Sequence, residues 1–362
     1  MKSITIKGTT HNLPIFLPDA TRAVVKSLSG SDIKNVGTRG AVINTYHLAD
    51  VPGSKFLDSN GGVKRFMNFS GLTISDSGGW QVFSLIHRNN TPGKITDEGV
   101  KFSIGGAKNQ LFTPELSINT QFAIGSDVII CLDDFTPPDA TPAVAQLTVN
   151  RTILWAQQCK RAYDAQIKAR GLTDSTRPHI FAVVQGGYYK ELREQCAAKL
   201  QEIGFDGYGY GGYVVGDDGQ LDLDMSQYLA QLLPDDKPKF ALGMGRPWDI
   251  ASLYSYGWDI FDCTLPTRDA RHKRLYAFKT FPQTFEDLTN KDEYEYVPIN
   301  RGRYAEDFGP IDSSCDCETC VNHSRAYLYH LFKIGDVSAY RLATLHNLRF
   351  YNRVVDLLTQ LA

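Results

Sequence analysis

Eight short apolar runs punctuate the chain, at residues 15–17, 41–43, 72–74, 128–132, 180–184, 208–210, 240–242 and 260–261. Most are nearly continuous rather than alternating, the pattern of parallel strands buried on both faces. Helical stretches separate many of them. Thr113-Pro114-Glu115 has the order of an N-cap, a proline in the first turn and an acid near the positive end of the helix dipole. Pro142 opens a long helix to about residue 170, a second runs from 189 to about 203 and stops at Gly204, and Pro247 opens a third that ends before Gly257. Residues 280–296 are polar and irregular and predict an insertion, and apolar residues recur at helical spacing from 324 to the end. Eight strands with helical crossovers predict an α/β fold, a (β/α)8 TIM barrel, with a doubly wound open sheet as the alternative. The barrel is expected over 1–279, and 280–362 is expected to hold the insertion, a metal-binding subdomain and C-terminal helices packed on the barrel.

Polar groups collect where the strands end. They are Asn44 and His47, then Ser75-Asp76-Ser77-Gly78-Gly79, Asp133-Asp134, Gln185-Gly186-Gly187, Gly211-Gly212, Gly243-Met244-Gly245, and Asp262. In a barrel these ends share the face that carries active sites. Taken singly, the glycines permit tight turns and the aspartates cap helices. Taken together they form a pocket with acids, an amide and open backbone groups. The stretch 257–274, GWDIFDCTLPTRDARHKR, sets one carboxylate, Asp262, at a strand end and follows it with Arg268, Arg271, His272, Lys273 and Arg274. An acid beside cations that can hold phosphates suits chemistry on a nucleotide.

Composition narrows the classes. The 362 residues are 42% hydrophobic and 22% charged, ordinary for a globular chain with a large core. The formal net charge of -2 leaves no overall basic field, so nucleic-acid binding has to rest on local patches. No apolar run approaches the ~18 residues of a membrane span. The N-terminus MKSITIKGTT has neither a signal core nor a transit-peptide character, and a cytoplasmic protein is expected. Of seven cysteines, Cys315, Cys317 and Cys320 crowd into C-x-C-x2-C, a metal pattern rather than a disulfide framework. Three thiolates need a fourth ligand to close a tetrahedral zinc site. His323, His330 and His346 are the candidates, and spacing does not choose among them.

These segments resemble the tRNA-guanine transglycosylases. The motifs are SDSGGWQVFSL (75–85), KITDEGVKF (94–102), LDDFTPP (132–138), VVQGG (183–187), FDGYGYGG (205–212), FDCTLPTR (261–268), CDCETC (315–320), and SRAYLYHLF with LATLHNLRFY (324–351). They occur in family order over nearly the whole chain. The resemblance implies a (β/α)8 barrel with a zinc-binding subdomain, and exchange of the wobble guanine of a tRNA anticodon for a 7-deazaguanine through a covalent ribosyl-aspartate. It implies Asp262 as nucleophile and Asp76 as general acid/base, with Ser77 following that acid as in the family. Asp133 and Gln185 would bind the purine edge, the Gly212 amide and the Tyr213 carbonyl would meet the base, and Trp80 and Leu242 would sandwich it. Arg268 and Arg271 would hold the anticodon loop. Cys315, Cys317, Cys320 and His346 would bind one structural zinc, and a homodimer is the implied assembly.

The chain also departs from the family. The segment before the first barrel strand is abbreviated, Phe135 stands where bacterial members usually have Cys, Tyr213 replaces a usual Leu, and 280–296 is unusual. Val215 matches members that use the small 7-aminomethyl-7-deazaguanine, where queuine users tend to carry Gly. A paralogue acting on DNA and a non-catalytic partner subunit are the alternatives. Retention of both Asp262 and Asp76 argues against the second.

Overall fold

A computed structural model of the chain describes residues 2–79, 93–104, 107–212 and 220–362, with 102–104 and 107–110 described by backbone alone. The predicted strands form as β1 (Ile15–Pro18), β2 (Gly40–Ile43), β3 (Leu72–Ser75), β4 (Val128–Ile130), β5 (His179–Val184), β6 (Gly207–Tyr210), β7 (Lys239–Ala241) and β8 (Ile260–Cys263). They make one eight-stranded parallel sheet in which chain neighbours are also sheet neighbours and β8 lies beside β1. A parallel bridge between Asp19 and Val42, with the Ala20 N–H on the Val42 carbonyl at 2.8 Å, joins β1 to β2 and closes the circle. That closure distinguishes a barrel from the doubly wound alternative.

The pleat decides what each strand residue does. Alternate residues, such as Ile15 and Leu17, Leu72 and Ile74, Val128 and Ile130, Phe181 and Val183, face the axis and make a buried interior. Strand β6 offers only glycines to that interior, because its neighbours are large. A Cβ on Gly207 would lie 2.6 Å from the Phe181 ring, and one on Gly209 would lie 2.6 Å from Leu242 Cδ1. The other strand face (Phe16, Ala41, Ile43, Tyr210, Phe261) packs against the helices in a second, larger core. The helix starts follow the expected chemistry. Thr113 Oγ1 accepts from the Leu116 N–H at 3.0 Å and opens Pro114–Ile124, and Thr141 caps Pro142–Arg170.

Three features lie outside the sequence expectation. An N-terminal hairpin, Ser3–Ile6 with Thr9–Asn12, adds Ile4 and Ile6 to the barrel interior and plugs its N-terminal end. A three-stranded antiparallel sheet, Gly93–Thr96, Gly99–Ile104 and Ala107–Phe112, leaves the barrel between β3 and β4. The polar stretch 280–296 is ordered rather than irregular. It holds the capped helix Phe285–Thr289 and enters the strand Tyr294–Pro298, which pairs with Arg274–Phe278 across the 279/280 boundary expected from the sequence. The last helix, Ser338–Leu361, stitches this hairpin to the barrel: Asn347 bonds the Pro266 and Arg274 carbonyls, and Tyr351 packs on Phe16 of β1 at 4.7 Å between ring centres. No helix among the described residues is long and apolar enough to cross a membrane.

Candidate active site

At the C-terminal end of the barrel the inward series of side chains changes from apolar to polar. Leu72 and Ile74 lead to Asp76, Phe181 and Val183 to Gln185, and Ile260 to Asp262. The same period of two carries Val42 to Asn44 and Phe240 to Leu242. The candidate side chains are thus the top layer of a packed interior, carried at the ends of strands.

Asp76 is held by three donors. Asn44 Nδ2 reaches Oδ2 at 2.7 Å, and the Thr45 and Gly78 N–H groups reach Oδ1 at 3.0 and 3.1 Å. Asn44 is fixed in turn, because its Oδ1 caps the following helix through the His47 N–H at 2.9 Å. Burial outweighs these donors and raises the Asp76 carboxyl to about 6. Asp262 has a single donor, the Gly243 N–H at 2.7 Å on Oδ1. Burial, with the nearby charges of Asp19 and Asp76, raises it further, to about 7. Asp262 thus has fewer donors than Asp76, and burial raises both carboxyls toward neutrality.

Across the mouth, Gln185 Nε2 donates to Asp133 Oδ2 at 2.6 Å, and its Oε1 accepts the Thr136 N–H at 3.1 Å. Asp133 is raised to about 6 by burial, and Ser77 Oγ lies 3.5 Å from its Oδ1. Gly211 and Gly212 lie against this amide. A Cβ on Gly211 would sit 2.5 Å from Gln185 Nε2, and Gly212 has a φ of +72°. Asp134, its sequence neighbour, is buried away from the pair and bound to Arg151, with its N–H on Thr152 Oγ1 at 3.0 Å. Of the two adjacent acids only Asp133 belongs to the mouth.

Leu242 tops the inward series of β7. Arg268 is exposed and Arg271 half-buried on the short helix Leu265–Arg271 that follows Asp262, and Arg271 donates to the Thr267 carbonyl at 2.8 Å. Arg274 turns away to Asp269 at 2.8 Å and covers the Tyr296 ring. Trp80, Tyr213 and Val215 lie outside the described residues.

Among known proteins, the model of the queuine tRNA-ribosyltransferase family matches residues 1–360. The chain belongs to this family. A relative of that name from Thermoanaerobacter pseudethanolicus is 38% identical over 97% of this chain and 87% of its own length. One from a Psychrobacter species is 38% identical over 98% and 87%, and one from Acinetobacter baumannii 36% over 98% and 87%.

The Cys3His cluster assembles far from the mouth in sequence terms and fits a single metal ion. The ligand atoms of Cys315, Cys317, Cys320 and His346 lie within 4.8 Å of one another, and all four residues are buried. His346 Nδ1 is 3.2 Å from Cys320 Sγ and 3.7 Å from Cys317 Sγ. Its Nε2 sits 2.6 Å from the Tyr276 carbonyl, which takes the ring's N–H and turns Nδ1 toward the thiols. Hydrogen bonds from the Cys315 and Cys320 thiols draw the Cys317 thiol down, favouring its thiolate. His323 instead stacks on Tyr327 at 5.1 Å, and His330 is exposed.

Two site residues escaped the sequence reading. Arg193 is fully buried on the helix Lys190–Ile203, donating to the carbonyls of Gly187 at 2.9 Å and of Val184 and Gly211 at 3.0 Å. It ties the end of β5 to the end of β6 and so holds Gln185 against Gly211. Its only sequence signal is an arginine on the apolar side of that helix. Asp19 follows β1 and continues the inward series Ile15, Leu17. The strand-end rule that found Asp76 and Asp262 finds it too, once applied to the first strand.

Proposed function

We propose that this member of the queuine tRNA-ribosyltransferase family exchanges guanine at the wobble position of a tRNA anticodon for a 7-deazaguanine base. Asp262 attacks the anomeric carbon, the bond to guanine breaks, and guanine leaves with a proton supplied from the site. The incoming base, losing its ring proton to Asp76, then displaces Asp262 and restores the original configuration. Asp133 and Gln185 read the purine edge with the Gly212 amide, Ser77 stands beside Asp133, and Leu242, Trp80 and Tyr213 complete the base pocket. Arg268 and Arg271 hold the anticodon backbone. One observation carries this assignment: two carboxylates raised to about 7 and about 6 share the mouth of a closed barrel with a hydrogen-bonded Asp133–Gln185 pair. A carboxylate that ionises near neutrality attacks as an anion yet is basic enough to bond carbon, and its neighbour moves protons at the same pH.

The metal is zinc, in a structural role, because four protein ligands leave no position open for substrate. Val215 favours the small aminomethyl base over queuine, and competition between the two bases for tRNA tests that preference. The protein acts in the cytoplasm, where tRNA is. It works as a homodimer, for which Phe308, Val321 and Tyr327, exposed beside the metal cluster, offer an apolar contact. Labelled guanine incubated with the protein and either tRNA or duplex DNA tests the polymer. Label entering tRNA is expected, and label entering DNA alone would replace this assignment with the DNA-acting alternative.

A further inference from the structure

The top layer of the barrel contains a fourth carboxylate, one that the exchange above does not use. Asp19 follows β1, whose Leu17 and Pro18 lie opposite Asp262 and Cys263 of β8. On its other side Asp19 bridges Val42, the inward residue before Asn44. It therefore stands between the strand that carries Asp262 and the strand whose Asn44 holds Asp76. Its Oδ1 accepts the Thr21 N–H at 2.9 Å and the Thr21 hydroxyl. Its Oδ2 has no hydrogen bond, and Asp19 makes no ion pair, among the described residues. Arg271 and His47 lie within electrostatic reach of Asp19, but neither pairs with it among the described residues, so its second oxygen keeps a free acceptor position beside two other carboxylates. Its charge contributes to the raised carboxyls of both Asp76 and Asp262.

The layout of the mouth says what that oxygen meets. The Asp133–Gln185 pair and Gly211 stand at the ends of β4, β5 and β6, and Asp262 stands on β8. A nucleotide whose anomeric carbon meets Asp262 and whose base points to β4–β6 turns its sugar toward β8, β1 and β2. The hydroxyl next to the anomeric carbon is the 2′-hydroxyl. A free carboxylate oxygen accepts a hydrogen bond from it, whereas it repels a phosphate. We propose that Asp19 is a specificity residue that accepts a hydrogen bond from the 2′-hydroxyl of the target nucleotide and so selects RNA over DNA. This rests on the assignment of Asp262 as the attacking group, because that places the sugar.

The test uses the full-length protein and a tRNA anticodon stem-loop carrying either guanosine or 2′-deoxyguanosine at the exchanged position, with labelled guanine incorporation as readout. The wild type is expected to favour the ribo substrate in kcat/KM by roughly 10- to 100-fold, the worth of one hydrogen bond to a charged group. Asp19→Ala is expected to lower kcat/KM on the ribo substrate by a similar factor and to leave the deoxy substrate within about 3-fold, collapsing the preference. Asp19→Asn keeps the shape and a weaker acceptor, so it should fall between the two, and it carries the test if the alanine variant does not fold. An unchanged ribo-to-deoxy ratio in these variants, or an equal loss on both substrates, would overturn the proposal. Asp262→Asn is assayed in parallel. Exchange surviving in that variant would remove the nucleophile assignment, an outcome read independently of the sugar preference.

Discussion

Replacing Asp262 with Asn should abolish exchange and make the protein more stable, a combination that separates a functional acid from a structural one. The carboxyl is raised from its ordinary 3.8 to about 7 because it is buried with one donor and faces Asp19 and Asp76. A shift of that size corresponds to at most about 4 kcal/mol of strain on the charged form, and the open mouth screens part of it, so about 2 kcal/mol is expected. Asn keeps the acceptor for the Gly243 N–H and removes the charge. The sign follows from linkage. The folded protein holds the Asp262 proton more tightly than the unfolded chain does, so ionisation destabilises the fold increasingly as pH rises from about 4 to about 7 and levels off above that. The Asn variant should therefore melt above wild type by roughly 2–4 °C at about pH 8 and by roughly half as much at about pH 5. Calorimetry or fluorimetry at the two pH values measures this, beside guanine exchange with deamidation of the variant checked by mass spectrometry. A variant that melts below wild type at the higher pH, or whose advantage does not grow with pH, would refute the electrostatic reasoning. Exchange near the wild-type rate would refute the role.

Three further outcomes are expected. For the wild type, kcat/KM for exchange should fall as pH drops through about 7, because the attacking carboxylate is progressively protonated, and a profile flat from about pH 5 to 8 would contradict an ionised Asp262. Gly211→Ala brings a Cβ to within 2.5 Å of both Gln185 Nε2 and Val183 Cγ1, so it should cost about 1–3 kcal/mol of stability and raise KM for the base by at least about 10-fold in the folded protein, and an unchanged KM would free Gln185 from base binding. Chelating the metal, or His346→Ala, should lower the melting temperature and weaken tRNA binding while leaving the active-site chemistry intact in molecules that remain folded, with metal content and melting followed together. Well-folded protein without metal would count against a structural zinc.

The barrel could be seen in the chain because parallel strands covered on both faces need unbroken apolar runs, and all eight runs became strands. Asp262, Asp76 and Gln185 could be seen for the same reason, since they are simply where those runs turn polar. Asp19 was hidden by Pro18, which makes Pro-Asp look like a turn. Arg193 was hidden because a buried guanidinium held by three carbonyls makes no ion pair among the described residues to mark it. The antiparallel sheet from Gly93 to Phe112 alternates polar and apolar residues and gives no continuous run. The stretch 280–296 takes its order from pairing with Arg274–Phe278, a partner no local pattern reveals. Likewise His346 lies 26 residues beyond Cys320, and the thiol spacing carries no information about which helix folds back.

The most direct measurement traps the protein with a tRNA anticodon stem-loop in which guanine has left and no incoming base is supplied, then maps the adduct by mass spectrometry after proteolysis. The mechanism proposed here predicts a ribosyl ester on Asp262 in the peptide spanning 261–268, absent in Asp262→Asn and released when guanine is added. An adduct on Asp76 or Asp19, or exchange that proceeds with no protein–RNA adduct at all, would contradict it.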